Sequence, residues 1–210
     1  MTKNIGIISI IFILLFTSCS ALDIIEKDSV RAFEDLLDNF QVVDSGEELW
    51  KIALPDNSAW FEWGQHGISL IIDASPFISA GLNLNILANG LVCKDSKIYI
   101  SSLMNLPITE NKSPPLEQFQ QCIHSLRSSL GYHPEMDHYN ISIGNGNMLE
   151  WARNIESNEK DVVVVLNPGP FVAAGTKPNS IEGWIYTSVS MHEKGKEVNI
   201  SVLLKSFNLE

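Results

Sequence analysis

The chain has 210 residues, of which 45% are hydrophobic and 19% charged, enough to bury a proper core and too apolar for a disordered protein. Its formal net charge of −11 repels phosphate backbones, and no basic cluster offsets it, so nucleic acid is excluded as an expected partner.

Lys3 is followed by the apolar run Ile5 to Phe16, the length of a signal-peptide core and shorter than the ~20 helical residues that span a bilayer. Next stands Phe16-Thr17-Ser18-Cys19, a cysteine behind small residues, with Phe16 where Leu is usual. It resembles the lipobox of bacterial lipoproteins. The resemblance covers only about the first 20 residues. It implies a signal peptide over 1–18, diacylglyceryl and acyl (palmitate-type) lipid on Cys19, and attachment to a membrane of the cell envelope. Ser20 in the following position implies the outer membrane if the cell is Gram-negative. Residues 19–28 lack the Gly, Pro and Ser of a long flexible linker and are expected to be a short tether.

From Ser29, a candidate N-cap, Val30, Phe33, Leu36, Leu37 and Phe40 follow helical spacing. After the acidic turn Asp44 to Glu48 a strand is expected around Trp50 to Leu54, closed by the turn residues Pro55, Asp56 and Asn57. A short helix is expected to carry Trp60, Phe61, Glu62 and Trp63. An apolar strand, Ile68 to Ile72, then runs into Asp73-Ala74-Ser75-Pro76-Phe77-Ile78-Ser79-Ala80-Gly81. Pro76 suits the first turn of a very short helix behind an N-cap at Ser75, and Gly81 suits its left-handed stop. Strands around Val92 and Ile98 to Ser101 follow, joined by a hairpin turn at Lys94 to Lys97.

Residues 109–114 read as a polar linker, after which the pattern returns. Leu116, Phe119, Cys122, Ile123 and Leu126 repeat the spacing of the first helix, and Ile141-Ser142-Ile143 answers Ile52-Ala53-Leu54. Asn147-Met148-Leu149-Glu150-Trp151 answers the Trp60 to Trp63 segment, and Asn167-Pro168-Gly169-Pro170-Phe171-Val172-Ala173-Ala174-Gly175 answers the Pro-Phe segment. Four matches in one order indicate an internal duplication. The expected fold is a single α/β or α+β domain with a mixed sheet, made of a first half over 29–108 and a second over 115–210. The end of the chain reads as a strand around Ile185 to Met191, a turn at His192 to Lys196, and an apolar stretch, Val198 to Phe207, compatible with strand or helix.

Five residues are candidates for ligand binding. Asp73 and Asn167 end corresponding strands. Trp60 is one of two tryptophans that cannot both face inward from one short segment. Glu62 and Glu150 occupy corresponding places and would form a carboxylate pair if the halves brought them together; otherwise Glu150, three residues after Asn147, has capping-box spacing. The segment Tyr132 to His138 holds His133, Glu135, Asp137 and His138 but contains Pro134 and matches no metal signature, so it reads as a polar surface loop. Cys93 and Cys122 read as buried small hydrophobes, with a disulfide as the alternative in an exported protein.

No catalytic constellation, cofactor motif or metal signature emerges. The expected function is a membrane-anchored binding or accessory lipoprotein with a protein or small-molecule partner. An exported hydrolase-like enzyme and a structural envelope protein are the alternatives.

Overall fold

Strands whose apolar residues alternate with polar ones bury one face and leave the other free, and this period of two governs most of the chain. The computed structural model describes residues 5–39, 41–44, 49–53, 58–64, 67–86, 91–103, 113–134, 137–153, 161–193 and 196–208. A long helix, α1 (Ile5–Asn39), leads into β1 (Val42–Asp44), β2 (Leu49–Ala53), β3 (Ala59–Gly64) and β4 (Gly67–Asp73). The short α2 (Ser75–Ser79) precedes the hairpin of β5 (Leu91–Lys94) and β6 (Lys97–Leu103). The second half runs α3 (Pro115–Ser125), β7 (Leu130–His133), β8 (His138–Gly144), β9 (Asn147–Ala152), β10 (Asp161–Leu166), α4 (Gly169–Ala173), β11 (Ile185–Glu193) and β12 (Lys196–Asn208).

The strands form two six-stranded sheets, ordered β1-β2-β3-β4-β6-β5 and β11-β12-β10-β9-β8-β7. Taken from its other edge, the second order is the first with six added to every strand number. The duplication therefore extends to the topology. All neighbouring strands are antiparallel. Of the two expected classes the protein is thus α+β, and its sheets are not mixed. The last apolar stretch is strand, paired with β11 from Ile185↔Leu204 to Glu193↔Lys196.

One expectation fails in both halves. Trp60 to Trp63 and Asn147 to Trp151 are strands, not short helices. In β3, Phe61 and Trp63 are buried while Trp60 and Glu62 are only partly so, an alternation that a helix would not give. A short run of large apolar residues fits either element, and pairing with β2 and β4 decides it here. Glu150 accordingly lies inside a strand and caps nothing.

The first helix begins before Ser29, which is buried within α1, and residues 20–28 belong to the same helix. Ala32, Phe33 and Leu36 form its buried face, answered by Phe119, Cys122 and Ile123 of α3. Among the described residues no helix is long and apolar enough to cross a membrane. The linker at 109–112, the Pro55 to Asn57 turn, the Ser45 to Glu48 turn, and Phe40 and Glu135 lie outside the described residues.

Phe33 and Phe119 stack at 3.5 Å between ring centroids, 14° from parallel. Trp63 and Trp151 each present an edge to both rings, at centroid distances of 5.2 to 6.3 Å. Each half thus contributes one phenylalanine and one tryptophan to a pseudo-twofold centre, and the four edge-to-face contacts have the geometry that aromatic quadrupoles favour. Both inner sheet faces and both helices share this one core.

A second contact on the same pseudo-twofold joins the Pro-Phe segments. Phe77 and Phe171 are buried with centroids 4.8 Å apart. Asn83 N–H donates to Ala174 O at 2.8 Å and Lys177 N–H donates to Ala80 O at 2.9 Å, a reciprocal pair. Gly81 and Gly175 have φ of 103° and 95°, the left-handed stop expected of them. A Cβ on Gly81 would stand 2.9 Å from Gly175 O, and one on Gly175 would stand 3.1 Å from Gly81 O. Glycine is needed at both for close approach as well as for φ. The helices start one residue earlier than expected, with Ala74 and Pro168 as caps.

Candidate functional site

Because the inner faces are spent on the core, chemistry is carried by the outer sheet faces and the strand ends. On the first sheet, alternation puts Trp60 and Glu62 of β3 outward, and the register sets Lys51 opposite Glu62, Ile71 opposite Trp60, and Lys97 opposite Asp73. Three of the five candidate residues therefore share one face. Trp60 Nε1–H donates to Glu62 Oε1 at 2.8 Å. The Lys97 and Lys51 ammonium groups lie 4.8 and 5.8 Å from the centre of the Trp60 ring. Burial raises the Glu62 carboxyl above its ordinary value, against the lowering effects of the Trp60 hydrogen bond and the Lys51 charge. Asp73 Oδ1 accepts from Ser75 N–H at 3.1 Å and from Ser75 Oγ–H at 2.9 Å, closing the turn into α2.

Glu150 occupies the corresponding outer face of the second sheet. Trp63 and Trp151 both meet Phe33 across the core, so Glu62 and Glu150, pointing away from it on separate sheets, do not form a pair. Glu150 instead lies among histidines. Pro134 sits in the turn of the β7–β8 hairpin, and the register sets His133 opposite His138, with Glu150 one strand further over, opposite Asn140. His133 Nε2 is 3.3 Å from Glu150 Oε1, and His138 Nδ1 is 4.0 Å from Glu150 Oε2. The Glu150 and His138 side chains are each 6% exposed and His133 is 33% exposed. The segment is thus not merely a surface loop. Among the described residues no group of three or more His, Cys, Asp or Glu side chains is placed to hold a metal ion. The two imidazoles flank the carboxylate at its two oxygens.

Asn167 ends β10 as Asp73 ends β4, and its Oδ1 accepts from Gly169 N–H at 2.9 Å in the same manner. Asn167 Nδ2–H donates to Asn145 O at 2.9 Å, and Asn167 N–H donates to Asn147 Oδ1 at 3.0 Å. In the first half Asp73 N–H likewise donates to the β2–β3 connection, at Ser58 O, 2.7 Å away. The β8–β9 turn at Asn145 and Gly146, with φ of 55° and 77°, is held against the end of β10. Beside this network lies an open pocket of about 640 Å³, walled by Pro170, Ala173, Ile200 and Val202, edged by Asn145, Asn147 and Asn167, and lined also by Leu91 from the first half. Of the five candidates, only Asn167 touches it.

Cys93 and Cys122 are free, and burial pushes the Cys122 thiol up to about 12. Its Sγ–H donates to Gly64 O at 3.6 Å. The side chain of Cys19 is outside the described residues. Comparison with family models, with curated proteins and with solved structures finds no match for this chain.

Proposed function

We propose that the protein is a lipid-anchored binding or accessory module of the cell envelope, tethered through Cys19, with its ligand site in the pocket beside Asn167. The observation that supports the site is the pocket itself. An apolar wall with a few convergent amide groups is the usual make-up of a small-molecule or peptide site, and here residues of both halves contribute to it.

The anchor is tested by feeding labelled palmitate to a bacterial host. The wild-type chain is expected to take up label and partition into detergent, and Cys19→Ala to lose both; equal labelling of the variant would refute the anchor. The site is tested by screening peptides and sugars for changes in tryptophan fluorescence or melting temperature. A hit is expected to lose affinity in Ala173→Trp, which fills the pocket, and a hit unaffected by it would place binding elsewhere.

A further inference from the structure

We infer that the gap where β10 stops alongside β12 is a slot for an extended peptide segment of another protein, which joins the second sheet there as an added strand. This inference rests on the binding site proposed above and names the class of its ligand. β12 is 13 residues long, yet β10 pairs only with its part from Leu203 to Asn208. Residues 196–202 pair with β11 alone, and among the described residues no backbone–backbone bond reaches their other edge. The first half shows the contrast, since β4 pairs with the corresponding β6 over its whole length, from Lys97 to Leu103.

Alternate backbone groups of an antiparallel strand point to opposite neighbours, so about half of those in 196–202 face the gap with N–H and C=O free to bond an incoming strand. An ordinary sheet edge opens on solvent, whereas this one has an opposite wall. The pocket is lined on one side by Ile200, Ser201 and Val202 and on the other by Asn145, Gly146 and Asn147. β9 follows β10 in the sheet order, so the turn that precedes it stands two strand spacings from β12, ~10 Å. One strand fits between them. The edge of a second copy would bring its own neighbouring strand against the turn, which makes a single peptide segment the fitting occupant.

The side chains select the kind of segment. Val198, Ile200 and Val202 share one face of β12, with exposure rising from 2% at Val202 to 36% at Val198, while Glu197, Asn199 and Ser201 are exposed on the other. An added strand meets apolar neighbours on one face and polar ones on the other, so alternation of apolar and polar residues is favoured. The net charge of −11 favours a basic segment over an acidic one.

The test uses the full chain in detergent and one probe, the acetylated and amidated heptapeptide Lys-Val-Thr-Val-Thr-Val-Lys. Saturable binding is expected by calorimetry, with slowed hydrogen exchange at alternate amides of residues 196–202. Methylating the backbone nitrogens of the valines, or instead those of the threonines, removes the N–H groups of one strand edge or the other. The two methylated peptides are expected to differ in affinity by about 10-fold or more, because only one edge bonds β12. Ala173→Trp, at an exposed position that tolerates the larger side chain, is expected to abolish binding. No saturable binding below millimolar peptide would overturn strand addition. Equal affinity of the two methylated peptides with no protection of β12 would also overturn it: loss of binding in Ala173→Trp would then leave the pocket as a ligand site of another kind, and unchanged binding in that variant would overturn both readings. A concentration-dependent dimer that excludes the peptide would make a second copy the occupant and overturn the assignment as well.

Discussion

The two halves agree where they face each other and differ where they face outward. Phe33 and Phe119, Phe77 and Phe171, and Gly81 and Gly175 are paired positions that meet across the pseudo-twofold, and the paired Trp63 and Trp151 both pack on Phe33 and Phe119. On the outer faces the correspondence ends. One sheet carries Trp60 between two lysines, and the other carries a buried carboxylate between two histidines. Packing constrains both members of an inner pair at once, because neither can change volume without disturbing the other. The outer faces lie off this shared core, that of the second sheet holding a small apolar cluster of its own around Val163, Val165 and Val202, and distinct chemistry can arise there.

The largest effect is expected at the centre of the symmetric core. Phe33→Ala or Phe119→Ala removes half of the stacked pair and one edge contact to each tryptophan, and each is expected to cost about 3–5 kcal/mol in denaturant melts. The comparison breaks if one variant is tolerated and the other is not.

A smaller effect is expected at the glycine junction. Gly81→Ala and Gly175→Ala each force a Cβ onto a facing backbone carbonyl at positive φ, a strain of about 1–3 kcal/mol. Near-equal losses in melting experiments would support a reciprocal contact. A loss confined to one variant would show that only one side of the junction is closely packed.

The same comparison explains what the sequence disclosed. The duplication and the Pro-Phe segments were legible because proline, glycine and the spacing of large apolar residues leave a local imprint. Trp60 to Trp63 misled because four bulky residues carry no decisive period, and only the neighbouring strands make them β. The expectation that Trp60 and Trp63 do not both face inward nonetheless holds, with Trp60 only partly buried, for the reason that alternate strand residues face opposite ways. The histidine cluster was half visible. His133 and His138 bracket Pro134, as the ends of a hairpin do, but nothing local links them to Glu150, which arrives from a third strand. The pocket beside Asn167 likewise depends on a turn 22 residues away.

The tryptophan pair sharpens the comparison further. Trp63 Nε1–H donates to Pro115 O at 3.0 Å, at the start of α3. Trp151 Nε1 finds no partner among the described residues, and neither does the hydroxyl of Ser29, the counterpart of Pro115. Replacing either tryptophan with phenylalanine leaves a similar void, but only Trp63→Phe gives up a hydrogen bond. Trp63→Phe is therefore expected to be the more destabilising by about 0.5–1.5 kcal/mol in paired urea melts, and equal costs would show that the bond contributes nothing net.

The smallest effect is expected where the halves solve one problem with two residues. Asp73 and Asn167 each use Oδ1 to accept the backbone N–H two positions ahead, at 3.1 and 2.9 Å. Asp73→Asn keeps that acceptor and the bond from the Ser75 hydroxyl, and it removes one charge opposite Lys97 in register. Charge pairs near the surface contribute little, so a stability change within about 0.5 kcal/mol is expected by chemical denaturation. Asn167→Asp is the informative reverse. It keeps the acceptor for Gly169 but loses the Nδ2–H donated to Asn145 O, and it places a carboxylate against that carbonyl. The reverse change is expected to cost more than the forward one and to loosen the β8–β9 turn at the pocket edge. If the two exchanges cost the same, the amide of Asn167 does not hold that turn, and the asymmetry between the strand ends is one of sequence only.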